Sequence, residues 1–466
     1  MSRVVAVSNR VSLPRRGAAP GGLTVGLMAA MKSRGGLWFG WSGETDENIA
    51  PVSLVRRGGI TFATVDFTPA ELERHYQGFC NGTLWPLFHY FLGDFRFFDE
   101  QYEAYIAVNQ RFARELVPQL HTDDLVWVHD YHLLPLAQKL RQAGANHPIG
   151  LFLHIPFPQL ESLRALPVYD ELLCAMLEYD LVGFQTERDR KAFFTAVEHL
   201  WGAGAVTPDG VIRVGVHRVQ TGCFPIGVDV EAIRQEAVNA QRSDACRRLV
   251  QGMLGRKLII GVDRLDYSKG LVERFRAYER FLESHPDSLN RVSFIQIAPL
   301  SRSDVLAYAS IRRELEQTAG RINGRFADTD WTPIRYLNRN FPHDVLMAFM
   351  RNAPVALVTP LRDGMNLVAK EFVAAQEPED PGVLILSTLA GAAIELSAAL
   401  QVNPYDCNGM AEALQQALNM PLAERRERHC AMVEALRRND IDAWHGRFLA
   451  SLREAAALRL KYAMTG

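Results

Sequence analysis

Short apolar runs separated by helix-length stretches recur along the whole chain. The strand candidates are Arg3 to Ser8, Leu37 to Trp41, Ile60 to Val65, Leu125 to His129, Ile149 to His154 and Leu181 to Gln185. Lys257 to Val262, Val292 to Ala298, Val355 to Thr359 and Val383 to Ser387 follow. Several are continuously apolar rather than alternating, which is the pattern of parallel strands buried on both faces. Strands alternating with helical stretches predict an α/β protein of two doubly wound, Rossmann-like domains. A chain of 466 residues also exceeds what one hydrophobic core usually supports. The boundary is placed after Phe224-Pro-Ile-Gly-Val-Asp229, giving an N-terminal domain over 1–229 and a C-terminal domain over 230–466. From Leu422 onward only helix formers remain, and Asn439-Asp440 breaks the pattern. A last helix, about 440–466, is therefore free to pack back on the first domain.

Composition narrows the function classes. With 48% apolar and 22% charged residues the chain is an ordinary globular one, and its formal net charge of -2 gives no field to attract nucleic acid or a membrane surface. Six scattered cysteines (Cys80, Cys174, Cys223, Cys246, Cys407, Cys430) contain no C-x-x-C and read as reduced thiols. No apolar run approaches a membrane span, and no signal-like segment opens the chain, so a cytoplasmic location is expected.

The densest chemistry lies between Ala353 and Gln376. An apolar run stops at Thr359-Pro-Leu-Arg-Asp363-Gly364, and a helix pattern then carries Leu367, Val368, Phe372 and Val373 on one face. Ligands of open α/β sheets bind where strands hand over to helices. Here the loop offers the Asp363 carboxylate, a glycine for close backbone approach, and the amides of Met365, Asn366 and Leu367 at a helix start. Glu371 stands two helical turns after Asp363, so the two carboxylates should touch different parts of one long ligand. The competing reading is plain structure, an N-capping Asp363 and a solvated Glu371.

Other strand ends repeat this theme. Ile259-Ile-Gly-Val-Asp-Arg264-Leu-Asp266-Tyr-Ser-Lys269-Gly270 delivers two cations to one loop ahead of a helix, which suits a diphosphate. Against this stands surface pairing of the cations with Asp263 or Asp266. Ile297-Ala-Pro-Leu-Ser-Arg302 brings a further cation, and Ser8-Asn9-Arg10 with Pro20-Gly21-Gly22-Leu23 forms a weaker anion cradle, because Gly-Gly is more often a turn. His129, Asp130 and His154 end buried strands; His129 with His132 resembles a metal pair without a third ligand, and a core histidine is the better reading. Trp38, Trp41, Tyr76 and Trp85 fall in expected loops, where they either stack on sugar rings or pack in the core. Asp328-Thr-Asp330 and Asp440-Ile-Asp442 match D-x-D formally, yet neither follows a strand, so both read as loop or cap aspartates.

Taken in order, Ser8-Asn9-Arg10, Gly21-Gly22-Leu23, Gly36-Leu-Trp-Phe-Gly-Trp41, Leu84-Trp85-Pro86, His129-Asp-Tyr-His132 and His154-Ile-Pro-Phe-Pro158 form one series with three later motifs. These are Asp263-Arg-Leu-Asp-Tyr-Ser-Lys-Gly270, Ala319-Gly-Arg-Ile-Asn-Gly324 and Pro360-Leu-Arg-Asp-Gly-Met-Asn-Leu-Val-Ala-Lys-Glu371. The series resembles the trehalose-6-phosphate synthases over nearly the whole chain. The resemblance implies a retaining B-type glycosyltransferase, two Rossmann-like domains facing across a cleft. It implies transfer of glucose from a nucleotide diphosphate glucose, UDP-glucose being expected, to glucose 6-phosphate. Its partners are small molecules, with no nucleic acid, membrane, cofactor or metal, and a homo-oligomer is left open.

Carried over by position, the resemblance makes Arg264 and Lys269 the diphosphate ligands and Glu371 the ribose ligand, with backbone near Phe341 at the base. Asp363, Gly364, Met365, Asn366 and Leu367 surround the donor glucose, with Gly22 and His154 on its other side. Arg10, Trp41, Tyr76, Trp85, Asp130 and Arg302 form the acceptor pocket. His154, Asp363, Arg264 and Lys269 carry the catalytic roles. Departures are Gln159-Leu160 after the His154 motif, Asp263 where glutamate is more usual, and the Arg-containing stretch Leu13 to Ala19. The alternative on the same fold is a glucosylglycerol-phosphate synthase using glycerol 3-phosphate. A two-carboxylate glycoside hydrolase is the alternative of another class.

Overall fold

The buried apolar runs become the strands of two sheets, each in its own unit. The computed structural model describes residues 2–11, 24, 26–28, 31, 35–48, 50–300 and 306–463. The described residues through Ile226, together with those from Asp442, form the first unit, and Gly227–Ile441 form the second. Only glycine fits where the two linking segments pass: a Cβ on Gly227 would lie 2.0 Å from the Asn439 carbonyl oxygen.

The first sheet contains β1 (Val4–Arg10), β2 (Gly36–Thr45), β3 (Ser53–Arg57), β4 (Ile60–Phe67), β5 (Leu125–His129), β6 (Ile149–Phe152), β7 (Leu181–Phe184), β8 (Val211–Val214) and β9 (His217–Cys223). Their order is β3-β4-β2-β1-β5-β6-β7-β9-β8, with only the edge strands β3 and β8 antiparallel to their neighbours. The second sheet contains β10 (Lys257–Val262), β11 (Val292–Ile297), β12 (Ile334–Leu337), β13 (Val355–Val358), β14 (Val383–Ser387) and β15 (Leu400–Val402). Its order is β12-β11-β10-β13-β14-β15, parallel throughout.

Five strands escaped the sequence pattern, each for a physical reason. β3, Ser-Leu-Val-Arg-Arg, is exposed on both faces, β15 is three residues long, and β8, β9 and β12 carry polar residues toward sheet edges. The expected strand Ile149 to His154 stops at Phe152, which leaves His154 in the loop beyond it.

Seven helices matter to the site: α1 (Asp99–Leu116), α2 (Val230–Ala240), α3 (Leu271–Ser284), α4 (His343–Arg351), α5 (Leu367–Ala375), α6 (Leu422–Arg438) and α7 (Ile441–Ala463). Asp229 caps α2, its side chain accepting from the Ala232 amide. The last helix α7 joins the first unit: Trp444 and Phe448 each pack 4.9 Å from the Trp127 ring, and Arg459 pairs with Asp180 at 3.1 Å. Phe448 fits because β6 and β7 present glycines there; a Cβ on Gly183 would come within 2.8 Å of its ring. Burying each of these two aromatic side chains stabilises the packing by about 1.5 to 3 kcal/mol.

Parallel pairing lines up the strand ends that carry chemistry. Ser8 of β1 pairs with His129 of β5, His129 with Phe152 of β6, and Arg10 with Trp41 of β2. In the second unit Val262 pairs with Ile297 and Val358 with Leu386, so the loops after β10, β11 and β13 open at one end of the sheet. Among the described residues no helix is long and apolar enough to cross a membrane.

Candidate active site

Two clusters of predicted residues form, one in each unit. In the first, Arg10 lies over the Trp41 ring at 5.5 Å, and Trp41 is 5.6 Å from Tyr76. Tyr76 continues to His132 (5.9 Å), His132 to Tyr131 (3.9 Å) and Tyr131 to Trp85 (5.8 Å). Trp38 and Trp41 stand on β2, as the strand candidate Leu37 to Trp41 has it, whereas the loop placement is corrected for Tyr76, on a π-helix (Leu72–Leu84), and Trp85, which begins the helix after it. Such wide helical turns are rare and gather at functional sites. Here one is pinned to the end of β1, because His75 Nε2 lies 3.3 Å from Asn9 Oδ1. Burial and the Arg111 charge push His75 down to about 3, so this contact is made by a neutral ring. Trp41 stacks on Phe67 at 4.8 Å, and Trp41 and Trp85 are 5% and 4% exposed, so both present little open face.

Asp130 holds a backbone conformation that side-chain-bearing residues avoid, φ 76° and ψ 171°. That region is essentially glycine territory and costs about 1 to 3 kcal/mol. Bonds hold the strain: the Asp130 amide donates to Phe152 O (2.8 Å), its carbonyl accepts from Leu133 N (3.1 Å), and its carboxylate accepts from His154 N (3.1 Å). Burial pushes the His154 pKa down to about 3, so the ring is a neutral imidazole. His129 faces His154, its Nδ1 3.1 Å from Nε2, instead of forming a metal pair with His132.

In the second unit, Gly270 (φ 63°) begins α3 so close to β13 that a Cβ would meet the Thr359 carbonyl oxygen at 2.4 Å. Lys269, just before it, reaches Asp363 Oδ2 at 2.5 Å, and Asn366 Nδ2 donates to the same oxygen at 3.1 Å. The capping reading of Asp363 is corrected: the N-cap of α5 is Asn366 (φ 79°), whose Oδ1 accepts from Ala369 N. Asp263 is likewise engaged, by the wholly buried Arg274 at 2.8 Å, and Asp266 accepts from Ser268 and Tyr308. Arg274 also donates to Gln296 Oε1 (2.8 Å), Thr359 Oγ1 (3.1 Å) and Lys269 O (3.3 Å), tying the ends of β10, β11 and β13 together. Arg264 stands exposed at the end of β10. Gly364 is buried, and Met365 and Ala392 are linked by a backbone bond of 2.8 Å.

Sequence reading missed His343. Its Nδ1 lies 2.7 Å from Glu236 Oε2 and its Nε2 3.5 Å from Glu371 Oε1, so it joins α2 to α5 two residues after Phe341. Burial alone would lower its pKa, but the two carboxylates outweigh this and raise it to about 10. The available signal was a histidine at the first position of α4, which reads as a surface residue unless its long-range partners are known. Phe341 packs on Phe349 (5.3 Å) and carries Arg339 over its ring at 4.4 Å. Gly22, Arg302 and the stretch Leu13 to Ala19 lie outside the described residues. The two D-x-D aspartate pairs are occupied structurally, Asp330 by Arg256 at 2.6 Å and Asp442 by His445 at 2.9 Å. Among the described residues no three His, Cys, Asp or Glu side chains gather as a metal site.

A family model, glycosyltransferase family 20, matches residues 12–454. The chain belongs to glycosyltransferase family 20. A trehalose-6-phosphate synthase of Enterobacter sp. (strain 638) is 47% identical over 97% of this chain and 95% of its own length. Among solved structures, an alpha,alpha-trehalose-phosphate synthase (UDP-forming) from Burkholderia vietnamiensis is 51% identical, with a TM-score of 0.95 over 98% of each chain. A Burkholderia xenovorans enzyme of the same description, solved in complex with glucose-6-phosphate, is 48% identical with a TM-score of 0.94 over 97% of this chain and 100% of its own. The family 20 chain is thus a glycosyltransferase with two parallel-sheet α/β domains of the B-type fold.

Backbone strain at Asp130 makes the usual order of substitutions invert. Asp130→Ala loses the carboxylate bond and keeps the strained Cβ, whereas Asp130→Gly loses the bond and relieves the strain. The glycine variant should be more stable by about 1 kcal/mol or more. Denaturant unfolding of both checks this, and an alanine variant as stable as the glycine one would refute it.

His343 makes a pH-dependent contribution of definite sign. Its folded pKa is raised, so the stabilisation is complete below the ordinary value of 6.5 and is lost as pH rises toward about 10. The melting-temperature advantage of wild type over His343→Gln should therefore shrink across that window. A gap that stays constant through it would contradict the ion pairing.

Proposed function

We propose that the chain transfers glucose from UDP-glucose to the anomeric hydroxyl of glucose 6-phosphate, giving α,α-trehalose 6-phosphate with retention, in the cytoplasm. The observation that carries the reading is the loop chemistry at the ends of β10 and β13, where Arg264 and the Lys269–Asp363 pair (2.5 Å) stand beside the starts of α3 and α5. The Enterobacter relative's name, trehalose-6-phosphate synthase, and the UDP-forming description of the Burkholderia structures, one of them solved with glucose-6-phosphate, support the same donor and acceptor.

Transfer with retention passes through an oxocarbenium-like state while a diphosphate departs, so the protein must stabilise negative charge on the leaving group. Arg264, Lys269 and the amides of Met365, Asn366 and Leu367 are donors of the required kind, each preorganised donor giving about 10²- to 10³-fold. Asp363 contributes negative charge near the sugar, and its bond to Lys269 couples sugar and phosphate positions. Gly22, Gly364 and neutral His154 orient the ring, and the departing phosphate accepts the acceptor proton on the same face. Glu371, held by His343, takes the ribose, and backbone near Phe341 takes the base. Arg10 and Arg302 bind the 6-phosphate, with Trp41, Tyr76, Trp85 and Asp130 around the acceptor ring. Cations at this density favour a phosphorylated leaving group over glycoside hydrolysis. The pocket aromatics favour a full sugar ring over glycerol 3-phosphate.

Product analysis with UDP- and GDP-glucose against glucose 6-phosphate, glucose and glycerol 3-phosphate tests the reading. A phosphate held by two arginines, each worth about 1.5 to 3 kcal/mol, should favour glucose 6-phosphate over glucose by several orders of magnitude in kcat/KM. Equal use of free glucose, or a preference for glycerol 3-phosphate, would overturn it.

A further inference from the structure

His129 is the best-placed side chain to which the reaction so far assigns no task. It is completely buried, at the last position of β5, and among the described residues the polar contact of its ring is Nδ1 to Nε2 of His154 at 3.1 Å. The next residue, Asp130, holds the His154 backbone amide at 3.1 Å, so adjacent residues of one strand end grip His154 by ring and by main chain. Phe152 packs edge-on to the His154 ring at 4.6 Å, which restricts its rotation.

We propose that His129 is a positioning residue that fixes the tautomer of His154, donating its Nδ1–H to His154 Nε2 so that His154 presents Nδ1–H to a hydroxyl of the donor sugar. Burial keeps both rings neutral, so a single proton lies between the facing nitrogens and one ring must donate it. The direction follows from the groups packed around the His129 ring. Its Nε2 is buried without a hydrogen-bond partner, and the rings packed on it, Trp127 at 4.5 Å and Trp444 at 6.4 Å, carry indole N–H groups that are also without partners. Indole can only donate. A protonated Nε2 would add a third orphan donor to that cluster, and an orphan buried donor costs the full desolvation of its group. A bare Nε2 is an acceptor that a neighbouring indole N–H can serve after a small shift, whereas a protonated Nε2 faces only other donors, so the proton sits on Nδ1 and points at His154. The arrangement resembles the way a hydrogen bond at one ring nitrogen sets the state of the other in catalytic and metal-bound histidines. It also gives α7 a part in the arrangement, since Trp444 packs against both rings, 6.4 Å from His129 and 6.1 Å from His154.

The proposal rests on the reading that His154 faces the donor sugar, and the test separates the two. Nitrogen NMR of the full chain with labelled histidine, assigned through His129→Asn and His154→Asn, reads the tautomers directly. Wild type should show His154 protonated on Nδ1 and bare on Nε2. His129→Phe should lose that pattern and reduce kcat/KM for UDP-glucose about tenfold, the scale of one hydrogen bond, with KM for glucose 6-phosphate little changed. His129→Asn places an amide donor near the former Nδ1 and should restore both readouts. The proposal is overturned if wild-type His154 carries its proton on Nε2, if His129→Phe leaves the tautomer unchanged, or if asparagine is no better than phenylalanine. Should His129→Phe not fold, the wild-type spectrum and the asparagine variant still decide. The expected tautomer together with full turnover in His154→Ala would instead defeat the donor-facing reading of His154.

Discussion

The buried guanidinium of Arg274 is the interaction on which the second unit's chemistry depends. It is wholly excluded from water and spends its donors on Asp263, Gln296, Thr359 and the Lys269 carbonyl. Those four groups belong to the ends of three neighbouring strands and to the turn that begins α3, so one planar fork sets their relative positions. Burying it is defensible only because its hydrogen bonds are met; removing one partner of such a pair typically costs about 3 to 5 kcal/mol. Two backbone bonds from Leu361 and Arg362 to the Ser268 carbonyl complete the tie between the Lys269 turn and the loop carrying Asp363. The Lys269–Asp363 contact therefore follows from a frame fixed beneath it, and in the proposed function a cation held in place in advance needs no rearrangement when charge develops.

The first unit solves the same problem with neutral groups and strain. His75, His129 and His154 are all pushed far below the ordinary histidine value by burial, so the ring contacts there are dipolar and directional instead of ionic. Asp130 adds a backbone twist normally reserved for glycine, kept in place by pairing to β6. The helix α7 returns from the end of the chain to seal this cluster with Trp444 and Phe448, and the glycines Gly150 and Gly183 leave room for it. The sequence position of α7 is thus remote from this cluster while its side chains pack directly on Trp127, Phe152 and His154.

Much of this was legible in the chain, and the gaps have physical causes. Continuously apolar runs mark buried parallel strands, so β5, β10 and β14 were placed to the residue, while β3 and β12 carry edge polarity that hides them. Cations and carboxylates directly after apolar runs were visible as loop chemistry. Arg274 was not, because on α3 it alternates with Leu271, Val272, Phe275 and Tyr278 like a surface charge, and only tertiary structure reveals that it is buried. His343 and the His129–His154 contact were hidden for the same reason: their partners lie 25 or more residues away. Asp363 illustrates the opposite case, where local reading offered a cap and the fold gave that task to Asn366.

The central claim, which rests on the proposed function, is that the Arg274 fork, more than its charge, holds the loops after β10 and β13 in an arrangement ready to bind a diphosphate. UDP binding to Arg274→Lys by calorimetry tests it directly, because lysine keeps a cation beside Asp263 but cannot bridge Gln296, Thr359 and the Lys269 carbonyl at once. The account predicts a folded variant whose UDP affinity falls about tenfold or more, equivalent to about 1.4 kcal/mol. A folded Arg274→Lys that binds UDP as tightly as wild type would contradict it.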